Sequence, residues 1–452
     1  MALGGGTWQF QNKILPGTYI NFASKVRAEA DISERGYATM ALPFDWGPEN
    51  VVFPVTAEEF QGKSLPIFGY DYTADELKGL RDLFINAKTV YFYRLSNNAV
   101  AAKNSMGTAK YAGARGNDIT TEVATDVDDT DTFDVKTYIK VDGINTLVDN
   151  QKQVKAWTDV TDNDYVKWSR AGGTMVATAG TPMTGGSNGD DITGAQYQAY
   201  IDAISPYYFN TMGYPGTDQK IQSLLINFCK RMRDDVGSKF QLVLYGAEGV
   251  DYEGVISIAN KATDSGASPA SLVYWLTGAE ASCAINASLT NSTYNGEYTV
   301  DTNYSQRQLA AGIQQGRLLF HNVHRTVSGE LVGEIKVLTD INTFTSFVKK
   351  KNSDFSMNQV IRVLDQDATD IANLFNRQYL GSEQNDDDGR TALWGDIVAL
   401  HKEYQRVRAI QNFKAEDIPV PTQGTQKTAV LLSYEIQPTC CMEKLYVNVI
   451  VA

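Results

Sequence analysis

The sequence predicts an α+β multidomain protein. It comprises an α/β core domain, a β-sandwich-like insert, and a C-terminal α+β domain with strand-forming terminal arms. Three observations predict this. Capped, helix-periodic segments alternate with short apolar runs over 24–100 and again over 194–340. A stretch rich in Thr, Asp, Gly and Val separates these two regions and alternates with period two. Both ends of the chain carry strand signals. At 452 residues the chain is also too long for one compact core.

Residues 1–23 form an N-terminal arm. Its start is Gly-rich, with Trp8 and Phe10 as isolated anchors. "PGTYINF" follows, a turn at Pro16-Gly17 and a strand through Tyr19, Ile20 and Phe22. The first part of the α/β domain spans 24–100. "GYATMALPFDWGP" predicts a strand running into a turn, and "KTVYFYRLS" a buried strand. "TAEEFQGKSL" and "TADELKGLRDLFINA" each open on Thr with an acidic residue three positions on, which predicts capped helices. Residues 101–193 form the insert. Its clearest element is "TFDVKTYIKVDGINTLVDNQ", two alternating runs joined at Asp142-Gly143. "DYVKWSR" and "TMVATAG" add short strands, and "TPMTGGSNGDD" closes the insert as a loop.

The α/β core resumes over 194–340. "DQKIQSLLINFCKRMRDD" is amphipathic at helical spacing, and "KFQLVLYG" and "GVISIAN" are buried strands. Ser268 and Pro269 predict the start of a helix through "SPASLVYWLTGAEASCAINAS". "LLFHNVHRTVSGELVGEIKVL" predicts two strands. The C-terminal domain, 341–452, is expected to hold "MNQVIRVLD" as a strand and "DIANLFNRQYL" as a helix. "NDDDGR" is expected to be an acidic loop, and "DIVALHKEYQRVRAI" a second helix. "KTAVLLSYEIQP" and "EKLYVNVIVA" are expected to end the chain as a hairpin-like pair.

Charge and composition exclude several functions. A net charge of −13 opposes nucleic-acid binding and docking on anionic lipid. Tyr outnumbers His by 24 to 3, a balance that favours strands and interfaces over metal or acid–base chemistry. Cys229, Cys283, Cys440 and Cys441 lack CxxC spacing and are expected to be reduced, buried thiols. The N-terminus lacks the pattern of a signal peptide, and no run is long enough to span a bilayer, so synthesis in the cytoplasm is expected.

Candidate chemistry is sparse. His321 and His324, three apart on a strand, face opposite sides, which is wrong for a shared metal. "TGGSNGD" lacks the arrangement of a phosphate loop, and Asp386-Asp387-Asp388 lacks the ligand spacing of a calcium loop. Cys229 shares a helix face with Leu225 and Met232, as a core residue would. Asp251 and Glu253 have no third partner nominated by spacing. No catalytic, cofactor or metal residue is therefore assigned.

Two stretches suggest interfaces. On the helix expected over 396–411, Ile397, Leu400, Tyr404 and Val407 form an apolar stripe. Lys402 and Arg406 lie opposite, flanked by Gly395, Ala399 and Ala409. This small basic face is either solvated or a contact for an acidic partner. At the end of the chain, Leu445, Val447, Val449 and Val451 point one way, and Tyr446, Asn448 and Ile450 the other. Such a strand needs an edge to pair with.

In this order, "PGTYINF", "LVYWLTGAEASCAINASLTNSTYNGE", "VLTDINTFTSFVKKKNSDFSMNQVIRVLD" and "MEKLYVNVIVA" resemble segments of the contractile phage tail sheath proteins. The resemblance runs from about residue 14 to the end. It is strongest to sheaths of Gram-positive myophage-like particles, including defective prophages of the PBSX kind and R-type bacteriocins. It implies stacked hexameric rings around an inner tube. In such rings the N-terminal strand of one subunit and the C-terminal strand of another complete a sheet on a third. The exchanged residues would be Tyr19, Ile20, Phe22, Leu445, Tyr446, Val447, Asn448, Val449, Ile450 and Val451. Lys402 and Arg406 would face the inner tube. Other copies of the chain, the tube protein, baseplate and tail terminator proteins would be the partners. No cofactor, nucleic acid or membrane insertion is implied, and release would be by lysis. The competing readings are an α/β enzyme with an accessory β domain and a non-contractile strand-exchange fibre protein.

Overall fold

The computed structural model describes residues 32–169, 174–327 and 330–451. Tyr19, Ile20 and Phe22 lie outside the described residues. The chain starts with β1 (Tyr37–Leu42), β2 (Val52–Thr56), α1 (Ala57–Phe68), α2 (Lys78–Phe84) and β3 (Thr89–Arg94). α1 begins where its sequence says it should. The Thr56 hydroxyl accepts from the Glu59 amide, and the Glu59 carboxylate accepts from the Thr56 amide at 3.0 Å. The second expected cap fails. Thr73 pairs with Asp71 instead, and a 3₁₀ turn over Asp75–Leu77 precedes α2.

The insert contributes β4 (Gly107–Ala109), β5 (Ile119–Thr125), β6 (Phe133–Val141), β7 (Ile144–Val154), β8 (Val166–Trp168) and β9 (Thr178–Pro182). β7, β6, β5 and β9 form an antiparallel sheet, and β4 pairs with β8. The β6–β7 hairpin turns at Asp142 (φ 48°) and Gly143 (φ 79°), the two positive φ values that this tight turn demands. Ile119, Val123, Val135, Ile139 and Val166 share a core with Trp46, Met106 and Met183.

Beyond it come α3 (Gly194–Ile204), β10 (Thr211–Gly213), α4 (Gln219–Arg231), β11 (Gln241–Tyr245) and β12 (Val255–Ile258). They are followed by α5 (Leu272–Ser282), α6 (Gln306–Gln314) and β13 (Arg317–Leu318). Residues on both sides of the insert build one seven-stranded sheet, ordered β13-β12-β11-β10-β1-β3-β2. It is parallel except for β2, whose Pro54 suits an edge strand. Both faces are covered, as parallel sheets require. Met40, Phe92, Val243 and Ile256 pack with Leu276 of α5 on one face. Ala41, Tyr93, Met212 and Leu242 pack with Leu225 and Phe228 of α4 on the other. Ser268 accepts from the Ala270 amide in a turn that precedes α5 rather than capping the helix itself.

The remaining elements are β14 (Phe320–Val327), β15 (Glu330–Val337), α7 (Asn358–Leu374), α8 (Asp387–Arg406), β16 (Thr422–Gln423) and β17 (Val430–Leu431). β14 and β15 are the two strands expected there, and they pair antiparallel. Three C-terminal expectations need correction. "MNQVIRVLD" opens α7 rather than forming a strand. The acidic run is the first turn of α8, where Asp386 accepts from the Gly389 amide and Asp387 and Asp388 suit the positive helix end. β17 pairs with β16, so the expected pairing of "KTAVLLSYEIQP" with the terminal segment does not form.

The chain divides into two compact units. Among the described residues the smaller holds Ile32, 370–403 and 414–435. Inside it the Trp394 indole donates to the Ile418 carbonyl at 2.6 Å, and the Asn385 amide donates to the Lys427 carbonyl at 2.8 Å. The larger unit holds 33–369, 404–413 and the terminal segment from 436.

Candidate functional site

The terminal segment falls into a pinned root and an exposed arm. The root is held by backbone bonds to the turn after α8. The Gln411 amide donates to the Gln437 carbonyl at 3.0 Å, and the Thr439 amide donates to the Ala409 carbonyl at 2.9 Å. That turn is sharp because Arg408 (φ 64°) and Asn412 (φ 56°) adopt left-handed backbone. Farther along, the Cys441 amide donates to Gln359 at 3.0 Å. The Glu443 carboxylate accepts from the Thr290 hydroxyl at 2.6 Å and from Thr339 at 3.2 Å.

Beyond Glu443, no strand forms within the described residues. Leu445, Tyr446, Val447, Val449, Ile450 and Val451 are 70–92 % exposed, and Asn448 is exposed as well. Each large apolar side chain is worth about 1.5–3 kcal/mol when buried, so burial on the order of 10 kcal/mol is unused in the single subunit.

The root abuts a buried charged cluster. Glu280 of α5, Asp340 beyond β15 and Arg362 of α7 are each no more than 2 % exposed. The Arg362 guanidinium donates to Asp340 at 2.8 Å, to Glu280, and to the Ala287 carbonyl at 3.1 Å. Asn358 donates to Asp340 at 2.7 Å and to Glu280 at 3.1 Å. Burial, then the charge of Asp340, push the Glu280 carboxyl well above its usual range. Burial also opposes ionisation of Asp340, but Arg362 and the surrounding donors outweigh it and hold that carboxyl low. Asp340 is therefore the anion of the pair. The arrangement ties α5, the segment after β15 and α7 together beneath the root.

This cluster and Glu443 escaped the sequence reading. The signal was weak but present. Glu280 is the lone charge in "SLVYWLTGAEASCAI", and Arg362 sits among apolar residues in "VIRVL".

Residues weighed for chemistry are dispersed. His321 is half-buried, and burial lowers its pKa, with Lys336 adding to the effect. His324 is exposed. Cys229 and Cys283 are buried, and burial pushes each thiol up to about 12, which suits inert core sulfur. Cys440 and Cys441 are exposed, contrary to expectation, because the root runs along the surface. Asp251 accepts from the Thr345 and Ser346 amides at 2.7 and 2.9 Å, and Glu253 pairs with Lys351 at 2.5 Å, so both serve the fold. Among the described residues no group of His, Cys, Asp and Glu could hold a metal ion, and no helix is long and apolar enough to cross a membrane.

On α8, Ile397, Leu400 and Tyr404 are buried, while Val407, expected on the same stripe, lies just past the end of the helix and is half-buried. Lys402 and Arg406 are exposed one turn apart. The helix ends at Arg406, and Ala409 is buried, so Ala409 does not flank the basic face.

Four family models tile the chain. They describe the Gp18 domain III N-terminal region of tail sheath protein (35–95) and the phage tail sheath β-sandwich (96–188), central (190–331) and C-terminal (350–452) domains. The crystal structure of a sheath tail protein from Desulfitobacterium hafniense matches with TM-score 0.78 and 33 % identity. The match covers 95 % of this chain and 99 % of that one. The chain belongs to the phage tail sheath protein family. The phage-like element PBSX protein XkdK of Bacillus subtilis (strain 168) is 27 % identical, over 99 % of both chains. The anti-feeding prophage sheath in its contracted state shares the fold, with TM-score 0.55, 12 % identity, and coverage of 96 % of this chain and 99 % of that one. Contractile sheath assemblies thus stand among the structural neighbours of this sheath protein, whose family is a structural one.

Proposed function

We propose that this sheath protein polymerises as stacked hexameric rings around an inner tube and contracts to drive that tube through a target cell envelope. The exposed apolar arm carries the reading. Seven alternating residues without a strand partner among the described residues are what donation to a neighbouring subunit requires. Pairing between unlike surfaces is not limited to a dimer, so it can extend through rings and along a stacked helical assembly. The acceptor we assign is the β16–β17 pair of a neighbour, where Leu431 is 58 % exposed. Tyr19, Ile20 and Phe22 of another copy would join the same sheet.

Lys402 and Arg406 would face the inner tube protein, with baseplate and tail terminator proteins at the ends of the assembly. Contraction would move subunits outward while the arms stay paired, with the linkers as hinges. The extended state would be metastable, so no catalysis is asked of the chain. Synthesis would be in the host cytoplasm, with release by lysis.

Negative-stain microscopy of the full chain beside a chain ending at Lys444 tests this. Hollow tubes from the full chain and none from the shortened one are expected. Tubes from both would refute the arm, and thin fibres or small discrete particles from the full chain would refute the sheath.

A further inference from the structure

We propose that Glu443 is a positioning residue, a clasp that fixes where the arm leaves the folded body. Its geometry stands on the single subunit, while its consequence rests on the strand-exchange reading above. The Glu443 carboxylate meets hydroxyls from two separate segments, Thr290 after α5 and Thr339 after β15. Thr339 is only 8 % exposed. Thr290 is itself fixed, because its hydroxyl accepts from the Asp340 amide at 2.9 Å and from Ser288 at 3.1 Å. Asp340 is in turn held by Arg362 and Asn358. The clasp therefore closes on a seat continuous with the buried cluster. Hydrogen bonds to a carboxylate are the stronger kind, which suits a point where pull on the arm meets the body.

Position along the chain gives the clasp its role. The next residue, Lys444, starts the segment that forms no strand among the described residues, and the exposed apolar run begins at Leu445. From Lys444 to Val451 the arm reaches roughly 25 Å when extended. If Glu443 lets go, the next tie is the Cys441 amide on Gln359, followed by Thr439 on Ala409. Each residue released adds about 3.3 Å of slack, and a one-residue slip turns every arm side chain to the opposite face. Glu443 thus sets both the reach and the register that the arm presents to a neighbour.

The test compares full-length Glu443→Ala and Glu443→Gln with the natural protein. The first reading is amide hydrogen exchange over 437–443 in unassembled subunits. The second is the protein concentration at which tubes form. Glu443→Ala is expected to speed exchange at Cys441 and its neighbours about tenfold, and to raise the tube-forming concentration about tenfold, with the melting temperature unmoved. Glu443→Gln keeps acceptor oxygen and should recover most of both readings. Thr339→Val removes a donor instead of the acceptor and should mimic Glu443→Ala if that variant folds poorly. Unchanged exchange in Glu443→Ala and Thr339→Val would overturn the clasp, and so would faster exchange with ordinary tube formation. Tubes from the chain ending at Lys444 would instead strike the strand-exchange reading, whatever the exchange data show.

Discussion

Proline placed in the arm tests strand exchange at single-bond resolution. Neighbouring residues of a strand aim their N–H groups at opposite edges, so at least one of Val447→Pro and Asn448→Pro must delete a ladder donor. The deleted bond is worth about 1 kcal/mol net. The carbonyl orphaned on the neighbour adds about 1–3 kcal/mol if it stays buried. The sum, about 2–4 kcal/mol per contact, corresponds to a roughly 30- to 1,000-fold rise in the concentration needed to assemble. The isolated subunit should be indifferent, because residues 444–451 form no strand among the described residues and their apolar side chains are 70–92 % exposed. The assay is sedimentation of tubes across a protein dilution series, with circular-dichroism melting of the dilute subunit beside it. Two variants that both sediment at the natural concentration would refute main-chain pairing. A matching loss of subunit stability would show that the arm belongs to its own fold.

Charge reversal at Lys402 and Arg406 together should weaken assembly on the inner tube, most visibly at low salt, and normal extended sheaths from the double variant would remove the assignment. Arg362→Met leaves the Asp340 carboxylate buried beside the Glu280 carboxyl without its cation. It should cost about 3–5 kcal/mol in the urea transition that includes α7, and a loss below about 1 kcal/mol would show that the cluster is not a structural tie. Hydrogen bonds from Ser346 and Thr345 hold the Asp251 carboxyl down at about 2, below its unfolded value of about 3.9. Its contribution is therefore present above about pH 4 and lost as pH falls towards 2. Asp251→Asn should melt lower than the natural protein at pH 7, with the gap closing by pH 2, and a gap independent of pH would contradict the linkage.

Elements whose pattern and packing agree were legible in the sequence. β3, β11 and β12 are apolar runs because both sheet faces are covered. The Asp142-Gly143 turn was legible because few residue pairs accept two positive φ values. Other local signals were overridden. Thr73 looked like a cap but found Asp71, and Ser268 capped a turn instead of a helix. Neither case changes the fold, because the helices are set by their buried faces rather than by their first residues.

The misreading of α7 and the plain alternation of the arm are two sides of one problem. In "MNQVIRVLD" the buried face of the helix includes Asn358, Gln359, Arg362 and Gln366 as well as Val360, Ile361 and Val363. A buried face that is partly polar hides helical periodicity and leaves β-branched residues as the dominant signal. Asn358 and Arg362 are satisfied there by Glu280 and Asp340, while Gln359 accepts from the Cys441 amide and Gln366 donates to the Ser33 carbonyl. "EKLYVNVIVA" inverts the situation. Its strand pattern is plain, yet the subunit offers no strand beside it among the described residues. Apolar alternation this strong would be an aggregation hazard in a chain that remained monomeric. Under the proposed strand exchange a partner in the assembled state would resolve the conflict, and a positioned root would make that partner specific. Glu443 stands between the two cases, because the residues that make α7 hard to recognise also build the seat from which the legible strand departs.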